Sequence, residues 1–174
     1  MNITVFCSAF AVAGPYEEAA ISLGQLIAER GHELVWGGSN VGLMKSLADS
    51  CKQYGGKVHG VSVEKLKHLV HPECDSLSIA KDLYERKRLL LDKADGVVLL
   101  PGGLGSIDEF FDALELKKHG SHNKPLVVIN ANGYYEHLKL LLQHMFEEGF
   151  LPDRHETFLE FVKSPREALE NLES

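Results

Sequence analysis

Apolar and polar residues follow two patterns along the chain, which predict strands and helices in alternation. Short, continuous apolar runs predict buried strands at residues 3–7, 34–36, 58–63, 96–100, 126–129 and 158–162, the last at a sheet edge. Between them, apolar positions recur every three or four residues, which predicts helices at residues 15–30, 43–54, 83–94, 107–114 and 134–148 and from 165 onward. Ser164 and Glu167 have the spacing of a capping box, with Pro165 at the first helical position.

This alternation determines the expected fold class. Strands too apolar to face water on either side imply a parallel sheet with helices on both faces, so we expect one Rossmann-like, doubly wound α/β domain over residues 1–174. In such a fold, ligands bind beyond the carboxyl ends of the strands, where the strand order reverses. The loops after Cys7, Trp36 and Leu100 are therefore the expected site. Residues 68–80 lack a clear period and are expected to be an insertion or a lid.

Length, charge and hydropathy exclude several classes of protein. A chain of 174 residues can bury a core without disulfide or metal support, and no internal repeat or linker divides it. Eighteen Lys and Arg against 25 Asp and Glu give a formal charge of -7, which argues against a nucleic-acid partner. Neither an apolar run of membrane-spanning length nor a basic residue before Arg30 is present, so we expect no membrane partner, no secretory signal and a cytoplasmic location.

Cysteine and histidine positions give no sign of a metal centre. Cys7, Cys51 and Cys74 are scattered and form no Cys-x-x-Cys pair, so we expect reduced thiols. His119 and His122 flank a predicted helix end, which favours ordinary titrating side chains. We therefore expect no metal and no resident cofactor.

The most informative segment runs from Leu99 to Glu109, where a buried strand leads through three glycines into a helix. Gly102, Gly103 and Gly105 remove Cβ atoms where a ligand could approach the backbone, and the helix start offers free amides that suit a phosphate. The segment is neither a Walker loop nor a Gly-x-Gly-x-x-Gly fingerprint. Spacing alone leaves two roles open for Glu109. It could be a catalytic carboxylate, or it could cap its own helix, because Ser106 and Glu109 have the spacing of a capping box.

Two further segments gain meaning only in combination with this loop. Tyr84 to Arg88 is the most basic short run in the chain, and a solvated, salt-bridged helix surface is its simplest interpretation. An anion site at the glycine-rich loop would, however, need a guanidinium nearby. Gly37 and Gly38 follow another predicted strand, where they could form either a tight connection or the opposite side of a nucleotide site.

At these segments the sequence resembles a known family. Residues 101–109 are similar to the Pro-Gly-Gly-x-Gly-Thr-x-x-Glu motif of the LOG (Lonely Guy) proteins, which are cytokinin riboside 5′-monophosphate phosphoribohydrolases often labelled possible lysine decarboxylases, and Arg86-Lys87 matches their Arg-Lys pair. Further similarity covers most of the chain, at residues 5–7, 37–44, 124–125, 132–135 and 148–150. The chain departs from the family pattern at Ser106, which replaces Thr, and at Phe10 and Ser39, which replace small residues or glycine.

The resemblance implies hydrolysis of the N-glycosidic bond of a purine nucleoside 5′-monophosphate, with AMP or an N6-modified AMP as substrate. It implies Arg86 and Glu109 as catalytic residues. It implies substrate binding by the following residues: Gly37, Gly38, Lys87, Gly102, Gly103, Gly105 and Ser106. It also implies a homodimer.

Two alternatives remain beside this hypothesis. The first is a carrier that binds a nucleotide or cofactor on the same fold without cleaving it. The second, an NAD-dependent oxidoreductase, is weakened by the missing fingerprint and the missing acidic residue about 20 positions later. The chemistry does not support the decarboxylase label, because a pyridoxal enzyme would need a Schiff-base lysine that no motif singles out.

Overall fold

Seven parallel strands form one sheet in the computed structural model, which describes all residues from Met1 to Ser174. The strands are β1 (Asn2–Phe6), β2 (Glu33–Trp36), β3 (Lys57–Val63), β4 (Ser76–Ala80), β5 (Gly96–Leu99), β6 (Leu126–Ile129) and β7 (Glu160–Val162). Their order across the sheet is β4-β3-β2-β1-β5-β6-β7. The chain moves outward from β1 to β4, crosses back to β5 beside β1, and then moves outward on the other side. The strand order therefore reverses between β1 and β5.

Six helices cover the two faces of the sheet. They are α1 (Pro15–Glu29), α2 (Gly42–Gln53), α3 (Leu83–Lys93), α4 (Leu104–Lys118), α5 (Glu136–Glu147) and α6 (Pro165–Glu173). Short 3₁₀ turns occupy Glu64–Leu69, Ala131–Gly133 and His155–Thr157. None of the helices has the length and the continuous apolar sequence that crossing a bilayer requires.

The central strands are buried on both faces, as the continuous apolar runs predict. On β5, Val98 packs into the core with α1, α2 and α6, whereas Val97 and Leu99 pack into the second core with α3, α4 and α5. Alternate side chains of one strand thus enter opposite layers, which is why the strand contains no polar position. The predicted fold class, a Rossmann-like doubly wound sheet with helices on both faces, is confirmed.

The sequence prediction was wrong about residues 68–80. This stretch contains β4, an edge strand that pairs in parallel with β3. Its apolar side chains Leu77 and Ile79 are both exposed. Because such a strand is shielded on one edge and partly open to solvent, it lacks the continuous apolar run that marked the other strands.

The two capping-box predictions had different outcomes. The Ser164 side chain accepts a hydrogen bond from the Glu167 amide at 3.3 Å, so α6 begins as predicted. Helix α4 instead begins at Leu104 with Gly103 as its N-cap and no side-chain cap. Ser106 therefore lies inside the first turn, and the capping alternative for Glu109 was wrong.

Candidate active site

A cavity of about 530 Å³ opens at the carboxyl ends of the central strands, beside the reversal of strand order. Its volume lies in the range of small-molecule sites. The residues that line it come from β1 and β3, from the loops after β1, β2 and β5, from the turn after β3, and from α2, α3 and α4. They are Val5, Phe6, Cys7, Ser8, Ala9, Phe10, Gly37, Ser39, Val41, Met44, Ser62, Leu66, Leu69, Arg86, Gly103, Leu104, Gly105, Ser106 and Glu109.

Arg86 and Glu109 meet in the wall of this cavity, although 23 positions separate them in sequence. Arg86 Nη1 on α3 donates to Glu109 Oε1 on α4, and the two side chains are only 12% and 15% exposed. The guanidinium is also fixed by the sheet, because Nε donates to the Val61 carbonyl at 2.9 Å and Nη2 to the Gly37 carbonyl at 3.4 Å. The backbone carbonyls of β3 and of the turn after β2 thus hold the Arg86 guanidinium against the Glu109 carboxylate.

The electrostatics of Glu109 reflect its burial. Removal from water raises the pKa of the Glu109 carboxyl above its usual value, and the Arg86 guanidinium opposes this shift without cancelling it. A carboxylate whose pKa is moved toward neutrality is a better proton acceptor near neutral pH than an exposed one. The arrangement therefore suits a general base that stays ionised because a cation faces it.

The start of α4 presents backbone amides to the same cavity. The first backbone bond into the helix runs from the Ile107 amide to the Gly103 carbonyl at 3.1 Å, so the four preceding amides have no helical acceptor. These amides belong to residues that all line the cavity: Gly103, Leu104, Gly105 and Ser106. With no side-chain cap and no acidic residue in its first turn, this helix end can bind an anion.

The glycines of the loop have different environments. A Cβ on Gly102 would overlap Ser106 Oγ and Cβ, whereas a Cβ on Gly103 or Gly105 would meet nothing within 4 Å. Close packing therefore requires glycine at position 102 but not at positions 103 and 105. Open space above Gly103 and Gly105 leaves their backbone accessible to a ligand.

The glycine turn after β2 forms the opposite side of the cavity. A Cβ on Gly37 would overlap Arg86 Nη2, so glycine is needed there for the arginine to reach its carbonyl. Gly38 has a φ of 75° and does not line the cavity, but its carbonyl accepts the His71 amide at 2.8 Å. Gly37 is therefore at the site, whereas Gly38 shapes the turn behind it.

The turn at Glu64–Leu69 forms a further wall, which sequence reasoning did not assign to the site. Leu66 and Leu69 line the cavity, and the Asn40 amide donates to the Leu69 carbonyl at 2.7 Å. The turn is also secured through His71, whose Nε2 lies 2.8 Å from Asp49 Oδ1 on α2. Their position directly after the predicted strand at residues 58–63 could have indicated this role, because the segment after a parallel strand lies at the carboxyl edge of the sheet.

Lys87 does not line the cavity. Its Nζ lies 3.3 Å from Asp108 Oδ1 and 3.2 Å from Asp112 Oδ1, both on α4. Burial lowers the pKa of Lys87, but the hydrogen bonds that its ammonium donates to Asp112 and Asp108 outweigh this effect and hold the pKa above its usual value. Neighbouring residues on α3 thus face different partners, with Arg86 toward the cavity and Lys87 toward the outer side of α4.

Comparison with known proteins identifies the family. A family model described as possible lysine decarboxylase matches residues 44–172. A curated protein named cytokinin riboside 5′-monophosphate phosphoribohydrolase from Rhodococcoides fascians is 38% identical over 154 residues, covering 86% of this chain and 78% of its own. Proteins of the same name from Mycobacterium tuberculosis and Arabidopsis thaliana are 32% and 30% identical, over 97% and 99% of this chain and 91% and 81% of theirs.

Solved structures share the fold. A molybdenum cofactor binding protein from Rippkaea orientalis superposes with a TM-score of 0.77 at 25% identity, covering 99% of this chain and 94% of its own. A Moco carrier protein from Chlamydomonas reinhardtii gives 0.76 at 20% identity, over 99% and 94% of the two chains. The sequence identity of these two structures to the chain, 20–25%, is below the 30–38% of the phosphoribohydrolases. The chain belongs to the family described as possible lysine decarboxylase, together with the cytokinin riboside 5′-monophosphate phosphoribohydrolases it matches.

Proposed function

We propose that the protein hydrolyses the N-glycosidic bond of a purine nucleoside 5′-monophosphate, AMP or an N6-modified AMP such as a cytokinin riboside monophosphate, to free base and ribose 5-phosphate. The observation that carries this proposal is the juxtaposition of two groups in one cavity. A buried carboxylate, Glu109, and the uncapped start of α4 both lie in its wall, on the same helix. A phosphate held at the helix start would therefore place the attached ribose next to the carboxylate. The named activity of relatives at 30–38% identity supports the same reaction.

Substrate binding follows from the two kinds of surface in the cavity. The amides of Gly103 and Gly105 and the Ser106 hydroxyl hold the 5′-phosphate, since bonds to a charged group are stronger than those between neutral groups. The apolar side chains Met44 and Leu69 offer surface for the purine. The phosphate fixes one end of the substrate, and the base fills the remaining space.

Catalysis requires a water molecule and an electron-poor sugar. As the C1′–N bond breaks, its electron pair leaves with the base, and the ribose develops oxocarbenium character that a nearby carboxylate stabilises. Glu109 accepts a proton from water as the water oxygen bonds to C1′. The departing purine takes up one proton from solvent, and Glu109 then returns one proton to solvent, so that one water is consumed in each turnover. Arg86 keeps the carboxylate ionised before this transfer and holds it in position.

A non-catalytic carrier is the second candidate, because the fold is shared with proteins named as molybdenum cofactor carriers. Their identity to this chain, 20–25%, is below that of the phosphoribohydrolases. A carrier breaks no bond in its ligand, so it has no need for a buried carboxylate with a raised pKa, such as Glu109, in the binding cavity. The enzyme is therefore the better supported function.

The test is incubation of the purified protein with AMP and with N6-isopentenyl-AMP, followed by chromatography for free base. The matched variant Glu109→Gln keeps the side-chain shape but cannot accept the proton. We expect wild-type protein to release base and the variant to bind nucleotide with at least about 100-fold lower turnover. Equal turnover by the two proteins would rule out the proposed chemistry, and nucleotide binding without base release by the wild type would favour the carrier.

Two further proposals rest on the resemblance to the family. We propose that the protein is a homodimer, and the exposed side chain of Leu104, 89% accessible at the cavity, is a residue that a second subunit could cover. Light scattering during size-exclusion chromatography tests this directly, since a mass near 19.3 kDa would contradict it. We also place the reaction in the cytoplasm, where fractionation should find the protein.

A further inference from the structure

Tyr134 contacts the glycine-rich loop from outside the main cavity. Its hydroxyl donates to the Gly102 carbonyl at 2.8 Å. Tyr134 does not line the main cavity but a smaller one of about 220 Å³, whose wall also includes Pro101, Gly102 and Gly103. Gly103 lines both cavities, whereas Gly102 lines only the smaller one.

The geometry of this peptide determines where its N–H points. In a trans peptide, the carbonyl of one residue and the N–H of the next point in opposite directions. The structure has no cis peptide bonds. Because the Gly102 carbonyl points to Tyr134, the Gly103 N–H points away from it. Gly103 lines both cavities, whereas Tyr134 lines only the smaller one, so we take an N–H that points away from Tyr134 to face the main cavity and the proposed phosphate.

The aromatic residues around Tyr134 hold its hydroxyl in position. The Tyr134 ring packs edge-on against Tyr135, with centroids 4.8 Å apart, and against Tyr16, with centroids 5.4 Å apart. Tyr135 is buried, and its own hydroxyl donates to the Leu100 carbonyl at 3.0 Å. Two adjacent tyrosines therefore bind two carbonyls of the segment that leads into α4.

Glycine makes this support necessary. Gly102 and Gly103 have no Cβ to restrict rotation of the peptide between them, and an unconstrained peptide could turn its carbonyl toward the cavity. A carbonyl oxygen there would repel a phosphate, whereas the N–H attracts it. We propose that Tyr134 is a positioning residue that orients the Gly102–Gly103 peptide so that its N–H binds the substrate phosphate. This inference rests on the proposed function, because it assigns a role within the same site.

The test compares Tyr134→Phe with Tyr16→Phe. Both changes remove one hydroxyl from the same aromatic cluster, but the Tyr16 hydroxyl makes no hydrogen bond in the structure, whereas that of Tyr134 binds the loop. We expect Tyr134→Phe to weaken ribose 5-phosphate binding by about fivefold and to raise KM for the nucleoside monophosphate by a similar factor, with kcat changed less. Tyr16→Phe should match the wild type in each measurement.

Amide NMR supplies a readout that depends on neither turnover nor overall stability. Ribose 5-phosphate should shift the Gly103 amide resonance in the wild type and in Tyr16→Phe, and much less in Tyr134→Phe at the same concentration. Equal shifts in all three proteins, or no Gly103 shift in the wild type, would overturn the inference. Failure of the wild type to release base, with these shifts as expected, would overturn the proposed function and leave the role of Tyr134 standing.

Discussion

The Arg86 guanidinium is bound at once to Glu109 on α4 and to the Val61 carbonyl on β3. A third bond reaches the Gly37 carbonyl after β2, so the arginine fixes the carboxylate relative to the sheet rather than merely neutralising it. This distinguishes it from the other cations of the basic run. Arg88 is 68% exposed and lies 3.8 Å from Glu85 on its own helix.

Replacement of Arg86 should therefore affect catalysis far more than replacement of Arg88. Arg86→Ala leaves Glu109 without its cation and its orientation, and we expect turnover to fall by about 100-fold or more. Arg88→Ala removes a solvated charge and should change turnover by less than about twofold. Steady-state rates of base release measure both. Equal effects would mean that α3 presents a different face to the cavity.

The pH dependence should report the Glu109 carboxyl. Burial raises its pKa above the usual value of 4.5, and the nearby Arg86 charge opposes the rise. Because the reaction needs the ionised carboxylate, kcat/KM of the wild type should decline as pH falls through this raised pKa. Arg86→Met removes the opposing charge, so the residual activity should decline at a higher pH. An acid limb that stays in place or moves to lower pH in this variant would contradict the assignment of Glu109 as the titrating group.

Lys87 should contribute to stability rather than to substrate binding. Its ammonium joins α3 to Asp108 and Asp112 on α4, but Asp108 is 68% exposed, so solvent weakens the pair. We expect Lys87→Met to lower the free energy of unfolding by at most about 1 kcal/mol, with KM within about twofold of the wild type. Chemical denaturation and steady-state kinetics measure the two effects.

A double-mutant cycle with Asp112→Asn separates the ion pair from other consequences of removing Lys87. The combined change should cost less than the sum of the single changes, because each removes the same interaction. A tenfold rise in KM for Lys87→Met without loss of stability would instead indicate contact with the substrate.

Sequence reasoning predicted the fold and the loops of the site because both depend on local pattern. The central strands are shielded on both faces, so their apolar runs were unambiguous. Ligands in this fold bind beyond the carboxyl ends of the strands, which pointed to the loops after Cys7, Trp36 and Leu100. β4 was missed because an edge strand need not be continuously apolar. Its Leu77 and Ile79 remain exposed.

Contacts between side chains on different elements could not be predicted from the sequence pattern. Arg86 and Lys87 are adjacent in sequence, yet one faces the cavity and the other faces the outer side of α4. Only the packing of α3 against α4 determines this. The Tyr134 hydroxyl was missed for the same reason, since its acceptor, the Gly102 carbonyl, lies 32 positions away.

Two glycines of the loop should respond to alanine in opposite ways. Gly102→Ala places a Cβ against Ser106 Oγ and Cβ, so we expect it to lower the free energy of unfolding by about 1–3 kcal/mol. Gly105 lies in the first turn of α4, where a Cβ meets nothing within 4 Å. Gly105→Ala should therefore stabilise the protein by about 0.4–1 kcal/mol, because it restricts the unfolded chain.

The same methyl group at Gly105 should damage function, because it projects where the phosphate must approach the amides of the helix start. We expect Gly105→Ala to lower kcat/KM by about tenfold or more while its melting temperature rises. Thermal unfolding and base release measured on the same preparations decide this. A more stable Gly105→Ala variant with full activity would show that no ligand closely approaches this turn, and the phosphate would have to be bound elsewhere in the cavity.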